Sequence, residues 1–223
     1  MLERTPEPEL MDETEQALAY AEADFSEPNA LFIELIGRYF PDLAATGHAL
    51  DLGCGPADIP IRLAGAYRGW QIDAVDGAES MLALARTAVG EAGLGGRIRL
   101  IHAYLPDGDL RDAGYDAIYS NSLLHHLADP LALWRTVRRC AAAGAAVQVM
   151  DLERPSDSDT LEDLVARYAA DAPEVLRHDF RCSLHAAYTV DEVRAQLAAE
   201  GLAGIEVERV SDRHLAAHGR VAG

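Results

Sequence analysis

The stretch ALDLGCGPADIPIRL, residues 49–63, sets Gly53 and Gly55 directly after an apolar run that carries Asp51. Glycine lets a backbone approach a ligand closely, and a helix start behind it offers free N–H groups and positive partial charge. Such a turn suits a nucleotide-like molecule. A dinucleotide site would open in the same way, but GCGPAD has Asp58 where the third glycine of G-x-G-x-x-G would stand. Asp76, in DAVDGAESML, follows the glycines by about 20 residues, where a carboxylate accepts both hydroxyls of a ribose, and Gly77 again frees the backbone. An acidic helix N-cap reads equally well at Asp76.

Residues of this kind need strands that end, and helices that begin, at one edge. Strand-like runs lie at 48–53, 70–76, 97–103, 115–120 and 145–152, with helical spacing of apolar residues at 57–66, 78–92 and 130–142 between them. That alternation predicts a parallel sheet with helices on both faces. Asp129 is placed to cap the helix that Pro130 opens. Before residue 47 the chain reads as two helices, 11–25 and 26–40, with Ser26 as a cap and Pro41 closing the second. From 153 to 188 the alternation stops, and the spacing predicts an insertion made of a helix, a break at Pro173 and an irregular segment. Thr189 with Glu192 forms a capping box, Gly201 ends that helix, and 204–210 is a sixth strand. RHLAAHGRV is short and mixed for a seventh.

The 223 residues, 49% hydrophobic, are enough for one domain with an appendage. Acidic residues outnumber basic ones 37 to 19, for a formal charge of −18, which argues against a nucleic-acid partner. Cys54, Cys140 and Cys182 form no CxxC pair, and MLERTPEPEL lacks a basic start followed by an apolar run, so a reducing cytoplasm is expected. No window approaches the roughly 18 apolar residues of a membrane span.

ALDLGCGPADIPIRLA, IDAVDGAESMLALAR and YDAIYSNSLLHHLADP together resemble successive motifs of the class I S-adenosylmethionine-dependent methyltransferases, over about residues 45–152. The family's E/DxGxGxG pattern is matched by Asp51, Gly53 and Gly55, with Asp58 in place of the usual third small residue. The resemblance implies a Rossmann-like, doubly wound α/β fold with a mostly parallel sheet of six to seven strands. It implies a helical N-terminal lid at 1–45, a cofactor-binding core at 46–152, an inserted substrate cap at 153–188, and a C-terminal helix with edge strands at 189–223. It also implies S-adenosyl-L-methionine as cofactor and S-adenosyl-L-homocysteine as product. Asp51, Gly53 and Gly55 would line the methionine end and Asp76 would hold the ribose, with Cys54, Gly77 and Met81 also beside the cofactor. Ala103 and Tyr104 occupy the adenine edge, where the family often has an aspartate that is missing here. Asn121 follows the fourth strand, facing the methyl-transfer zone.

His125 and His126 come next, and a histidine there can hydrogen-bond an acceptor or take its proton. His126 is the better candidate, although one histidine packing beneath the cofactor and the other capping the following loop would also account for the pair. Tyr20 and Phe25, on the helical stretch ahead of the sheet, are candidates for the substrate wall. In RHDFRCSLHAAYT, Arg181 could grip a carboxylate and Asp179 an amine, unless both are salt-bridged surface residues. His178, Cys182 and His185, or His214 with His218 on one helical face, make no complete zinc pattern, and no metal is expected. Cys54 reads as a small side chain beside the cofactor, not a nucleophile.

These features favour a small polar methyl acceptor, at nitrogen, without nucleic-acid or membrane partners; a homodimer is compatible with them. PEPELMDETEQALAYAEADF and DFRCSLHAAYT are similar to a bacterial group of small stand-alone methyltransferases, some associated with N-methylation of histidine-derived thiols such as 5-thiohistidine in ovothiol formation. O- or C-methylation of a small carboxylic acid or natural product, a non-catalytic S-adenosylmethionine-binding protein, and an NAD-dependent oxidoreductase are the alternatives.

Overall fold

The computed structural model describes residues 2–7, 24–108 and 110–222. Tyr20, and the part of the first expected helix up to residue 23, lie outside the described residues. The chain runs α1 (Ser26–Tyr39), β1 (Thr46–Leu52), α2 (Asp58–Ala66), β2 (Gly69–Asp76), α3 (Glu79–Glu91), β3 (Ile98–His102) and β4 (Tyr115–Asn121). A 3₁₀ turn at Leu124–His126 leads to α4 (Leu131–Cys140), β5 (Ala141–Leu152), α5 (Ser158–Tyr168), α6 (Glu174–Ala186), α7 (Val190–Ala199), β6 (Ile205–Arg209) and β7 (His214–Arg220).

The seven strands form one sheet in the order β3-β2-β1-β4-β5-β7-β6, parallel except for β7, which runs antiparallel between β5 and β6. This is the doubly wound α/β arrangement expected from the alternation. β1 and β4 are central and covered on both faces, so Leu50, Leu52, Ala117 and Ile118 are buried and their runs read as continuously apolar. One face packs Leu50, Leu52, Val147 and Val149 with Trp134 and Val137 of α4 and Leu197 of α7. The other packs Ala49, Ile72 and Tyr119 with Phe32 and Ile36 of α1 and Leu63 of α2.

The differences from the sequence reading have local causes. β7 forms where the sequence is mixed: Leu215, Ala216 and Ala217 are fully buried between two partner strands, a slot where small side chains fit. His214 and His218 therefore sit on a strand, about 13 Å apart at 3.3 Å per residue, and share no helical face; His214 Nδ1 lies 2.9 Å from Ser211 Oγ and His218 stacks on Tyr39. β5 begins at Ala141 because the chain pairs with Tyr115 as soon as α4 ends. Ser26 is inside α1, and it is Asp24 Oδ1 that accepts the Ser26 N–H at 2.9 Å. Asp129 Oδ1 accepts the Leu131 N–H at 3.1 Å, and Thr189 with Glu192 makes the reciprocal capping box.

The segment expected to be irregular after Pro173 is the helix α6, which packs on α5 around Leu161, Leu164, Val165 and Leu184. Residues 2–7 cross this pair as a strap. Leu2 N–H donates to Ser156 O, Thr5 N–H to His185 O, and the Arg4 guanidinium to Ala186 O and His125 O while lying 4.1 Å over the Tyr188 ring.

Candidate active site

The strand order reverses between β1 and β4, and ligands of open α/β sheets bind outside the carboxyl ends of the strands at such a point. The glycine loop leaves β1 there. Gly53 and Gly55 hold φ of +74° and +51°, a region in which a side chain is strained. A Cβ on Gly53 would come within 2.9 Å of Leu123, whereas one on Gly55 would meet no protein atom within 4 Å. Gly53 N–H and Cys54 N–H both donate to Val75 O, which pins the loop to the end of β2.

Asp76, at that end, accepts Gly55 N–H and Ala78 N–H, each at 2.8 Å, on separate carboxylate oxygens. It is not the N-cap of α3, a position held by Ala78 without a side-chain cap bond, and it lines the cavity with spare lone pairs. Burial raises its pKa against those two bonds. Asp51 is 1% exposed, its Oδ2 has no hydrogen-bond partner, and burial, with the nearby Asp76 charge, pushes its pKa up to about 8. Burial and the same two carboxylates hold the Cys54 thiol well above its ordinary range, so it stays protonated.

A cavity of about 700 Å³ opens over the loop, lined by Gly53, Cys54, Gly55, Asp76, Gly77 and Met81. Ala103, Tyr104, Asn121, His126 and Phe25 complete its wall, so the cofactor residues expected from sequence line it except Asp51, which is buried and not among the lining residues. Asp58, the unusual residue in the third-glycine position, opens α2 and binds the amide of Asn29 on α1 as well as Arg62 one turn on. Asn29 Oδ1 in turn accepts from Asn121 Nδ2 at 3.3 Å, leaving the buried Asn121 Oδ1 without a hydrogen-bond partner. α1, the glycine loop and β4 are tied together by that one amide.

A second cavity of about 1010 Å³ adjoins the first; Phe25, Asn29, Asn121, Ser122 and His126 line both. Its further wall comes from the strap, from α6 and from β7. His125 is buried, its Nδ1 2.5 Å from Asp151 Oδ1 and its Nε2 3.4 Å from Glu7 Oε1, while His126 Nδ1 lies 3.2 Å from the same Glu7 oxygen. Burial opposes a charge on His125, but Asp151 and Glu7 outweigh it and raise its pKa; Asp151 is held low by His125 against its own burial. Asp151 also accepts Leu124 N–H and Leu152 N–H, which fixes the 3₁₀ turn. His125 is thus a packed, oriented group, and His126 is the histidine that reaches both cavities. Burial drives His214, on the same wall, down to a pKa of about 4.

Asp179 lines the second cavity, but Arg181 does not: its guanidinium forms a two-pronged pair with Glu162 of α5, both bonds 2.8 Å. Of the two readings of Arg181, the salt-bridged one describes its place here, because α6 turns that side chain onto α5. Glu7, Asn29 and Asp151 were not singled out in the sequence. Asn29, inside an apolar helical stretch, and Asp151, at the carboxyl end of a buried strand, were detectable as polar residues at core positions; nothing local marks Glu7.

Residues 49–144 match the family described as "Methyltransferase domain". An uncharacterized methyltransferase of Mycobacterium tuberculosis is 33% identical over 107 residues, 48% of this chain and 51% of that protein. A ubiquinone biosynthesis O-methyltransferase of Caulobacter sp. is 30% identical over 154 residues, 68% of this chain and 57% of its own length. The match thus spans about half the length of these curated relatives. The crystal structure of a SAM-dependent methyltransferase from Aquifex aeolicus superposes with a TM-score of 0.67 at 18% identity, covering 92% of this chain and 98% of that one, which shows a shared fold. Among the described residues no helix is long and apolar enough to cross a membrane.

Proposed function

We propose, on the match of residues 49–144 to the methyltransferase-domain family, that the protein is a class I S-adenosylmethionine-dependent methyltransferase and moves the methyl group of S-adenosylmethionine to a nitrogen of a small polar metabolite held in the second cavity. Two features of the glycine loop and the strand before it fit the cofactor. Asp51 has a buried, unpartnered oxygen suited to the methionine ammonium, and the open space over Gly55 admits a ligand against the backbone. Asp76 would take the ribose hydroxyls, Met81, Ala103 and Tyr104 would flank the adenine, and Asn121 would face the methionine portion. Bound there, the sulfonium supplies a methyl group with an already activated leaving group.

The residues then have to align donor and acceptor for an in-line displacement, and positioning can supply much of the rate. The single observation that carries the reading is that His126 lines both cavities, at their junction. There it can accept the proton of an acceptor nitrogen, so that the lone pair is available. The chemistry of the second wall favours nitrogen over a carboxylic acid. Arg181 is committed to Glu162, and Arg213 to Asp212 and the Tyr168 face at 3.4 Å, while Glu7 and Asp179 contribute carboxylates. An imidazole falls within this class, and no lining residue singles out a 5-thiohistidine. In the same proposal α1 and the strap act as lid, α5 and α6 as substrate cap, in a cytoplasmic setting consistent with three unpaired cysteines.

Calorimetric titration with S-adenosylmethionine, S-adenosylhomocysteine and NAD tests the cofactor; binding of NAD alone would overturn the reading. Transfer of labelled methyl to a panel of imidazoles, amines and carboxylic acids tests the acceptor, and labelling confined to the acids would refute the nitrogen assignment.

A further inference from the structure

We propose that Glu7, His125 and His126 form a binding site for one zinc-class divalent ion, with an open fourth position toward the second cavity. Glu7 Oε1 lies 3.4 Å from His125 Nε2 and 3.2 Å from His126 Nδ1, and all three ligand atoms fall within 4.8 Å of one another. Tetrahedral zinc with bonds of about 2.0–2.1 Å separates its ligand atoms by about 3.3 Å. The two oxygen–nitrogen edges already have that length.

The second shell points the same way. Asp151 holds His125 Nδ1 at 2.5 Å, which turns Nε2 toward Glu7, the carboxylate–histidine arrangement that orients and strengthens metal-ligating imidazoles. Asp151 is itself fixed by two backbone N–H groups, and Glu7 is positioned by Ser183 Oγ at 3.1 Å and by the strap. Two histidines and one carboxylate make a donor set suited to zinc, three protein ligands being the number at which an open position remains. All three residues line the second cavity, so the open position would accept a donor atom of the molecule bound there. This last role rests on the methyltransferase reading; the ion site itself does not. With the ion on Nδ1, His126 carries its hydrogen on Nε2 and would take an acceptor proton only in the metal-free protein.

The test uses the full chain, stripped with chelator and dialysed, without cofactor or acceptor, so its outcome is separate from that of any turnover assay. Titration with Zn²⁺ is expected to show one tight equivalent, and His126→Ala and Glu7→Gln each to weaken it at least about tenfold, while His178→Ala and Cys182→Ser leave it unchanged. Substitution with Co²⁺ should give the visible bands of a four-coordinate nitrogen and oxygen site, a reading that needs no variant to fold. Absence of stoichiometric binding, equal affinity in wild type and both ligand variants, or a thiolate charge-transfer band assigning the ion to Cys182 would each overturn the proposal.

Discussion

The two cavities are built in opposite ways. The cofactor side is a backbone object: two glycines with positive φ, a loop pinned to Val75, and a carboxylate 21 residues on that catches Gly55 N–H. The second cavity is assembled from side chains of the strap, the 3₁₀ turn, α6 and β7, segments as far apart in sequence as Thr5 and His214. The first depends on conformations that a few residue types permit; the second depends on the whole tertiary arrangement. Substitutions on the two sides should therefore fail differently.

The largest effect is expected from Asp76→Ala, which removes the ribose acceptor and the anchor of Gly55 together. At about 1.5–3 kcal/mol for each hydrogen bond to a charged group, cofactor affinity should fall roughly 100-fold or more by calorimetry, and retained affinity would dismantle the cofactor assignment.

The glycine pair sharpens the contrast within the loop. Gly53→Ala forces a Cβ against Leu123 at an unfavourable φ and should cost about 1–3 kcal/mol of stability. Gly55→Ala has the φ strain but no protein neighbour, so its melting temperature should fall less while its cofactor affinity falls more. Equal profiles for the two variants would mean that the loop does not face the ligand.

His126→Ala probes the other side. If it takes the acceptor proton, turnover should drop by about 10²-fold with little change in cofactor affinity, and unchanged rates would leave it a wall residue.

Asp51 gives a proton-linked signature. Its folded pKa of about 8 exceeds the ordinary 3.8, so the folded state holds the extra proton between those values. Stability from this group is fully present below about pH 4 and is lost as pH rises through about 8. Asp51→Asn should therefore be more stable than wild type at pH 8, by up to a few kcal/mol, yet bind cofactor less well. Binding of the cationic methionine end should release a proton near pH 7, read as a buffer-dependent heat; no release would remove Asp51 from the site.

Arg181→Ala should do least, changing stability by about 0.2–1 kcal/mol, since its pair with Glu162 is at the surface, and leaving acceptor KM untouched. A raised KM would return Arg181 to the substrate wall.

What could be read from the sequence follows the same division. β1, the Gly53–Gly55 turn, Asp76 and the α7 capping box are decided by residues within a few positions of one another, and their types suffice to place them. β7 was ambiguous because its burial is imposed by β5 and β6, not by its own hydrophobicity. α6 was missed because a half-polar stretch becomes a helix by packing on α5. Asn29, through which α1 meets Asp58 and Asn121, and Glu7 acquire their meaning from partners remote in sequence.

The strap has a consequence for the order in which the molecule takes shape. Residues 2–7 are synthesised well before their partners Ser156, Ser183, His185 and Ala186, so those contacts must wait for that later part of the chain. Contacts of such long sequence separation form late and open early. During mild denaturation the second cavity is therefore expected to come apart while the glycine loop still binds its ligand, and in a growing cell the newest copies of this protein would carry a finished loop before the second chamber has closed around its contents.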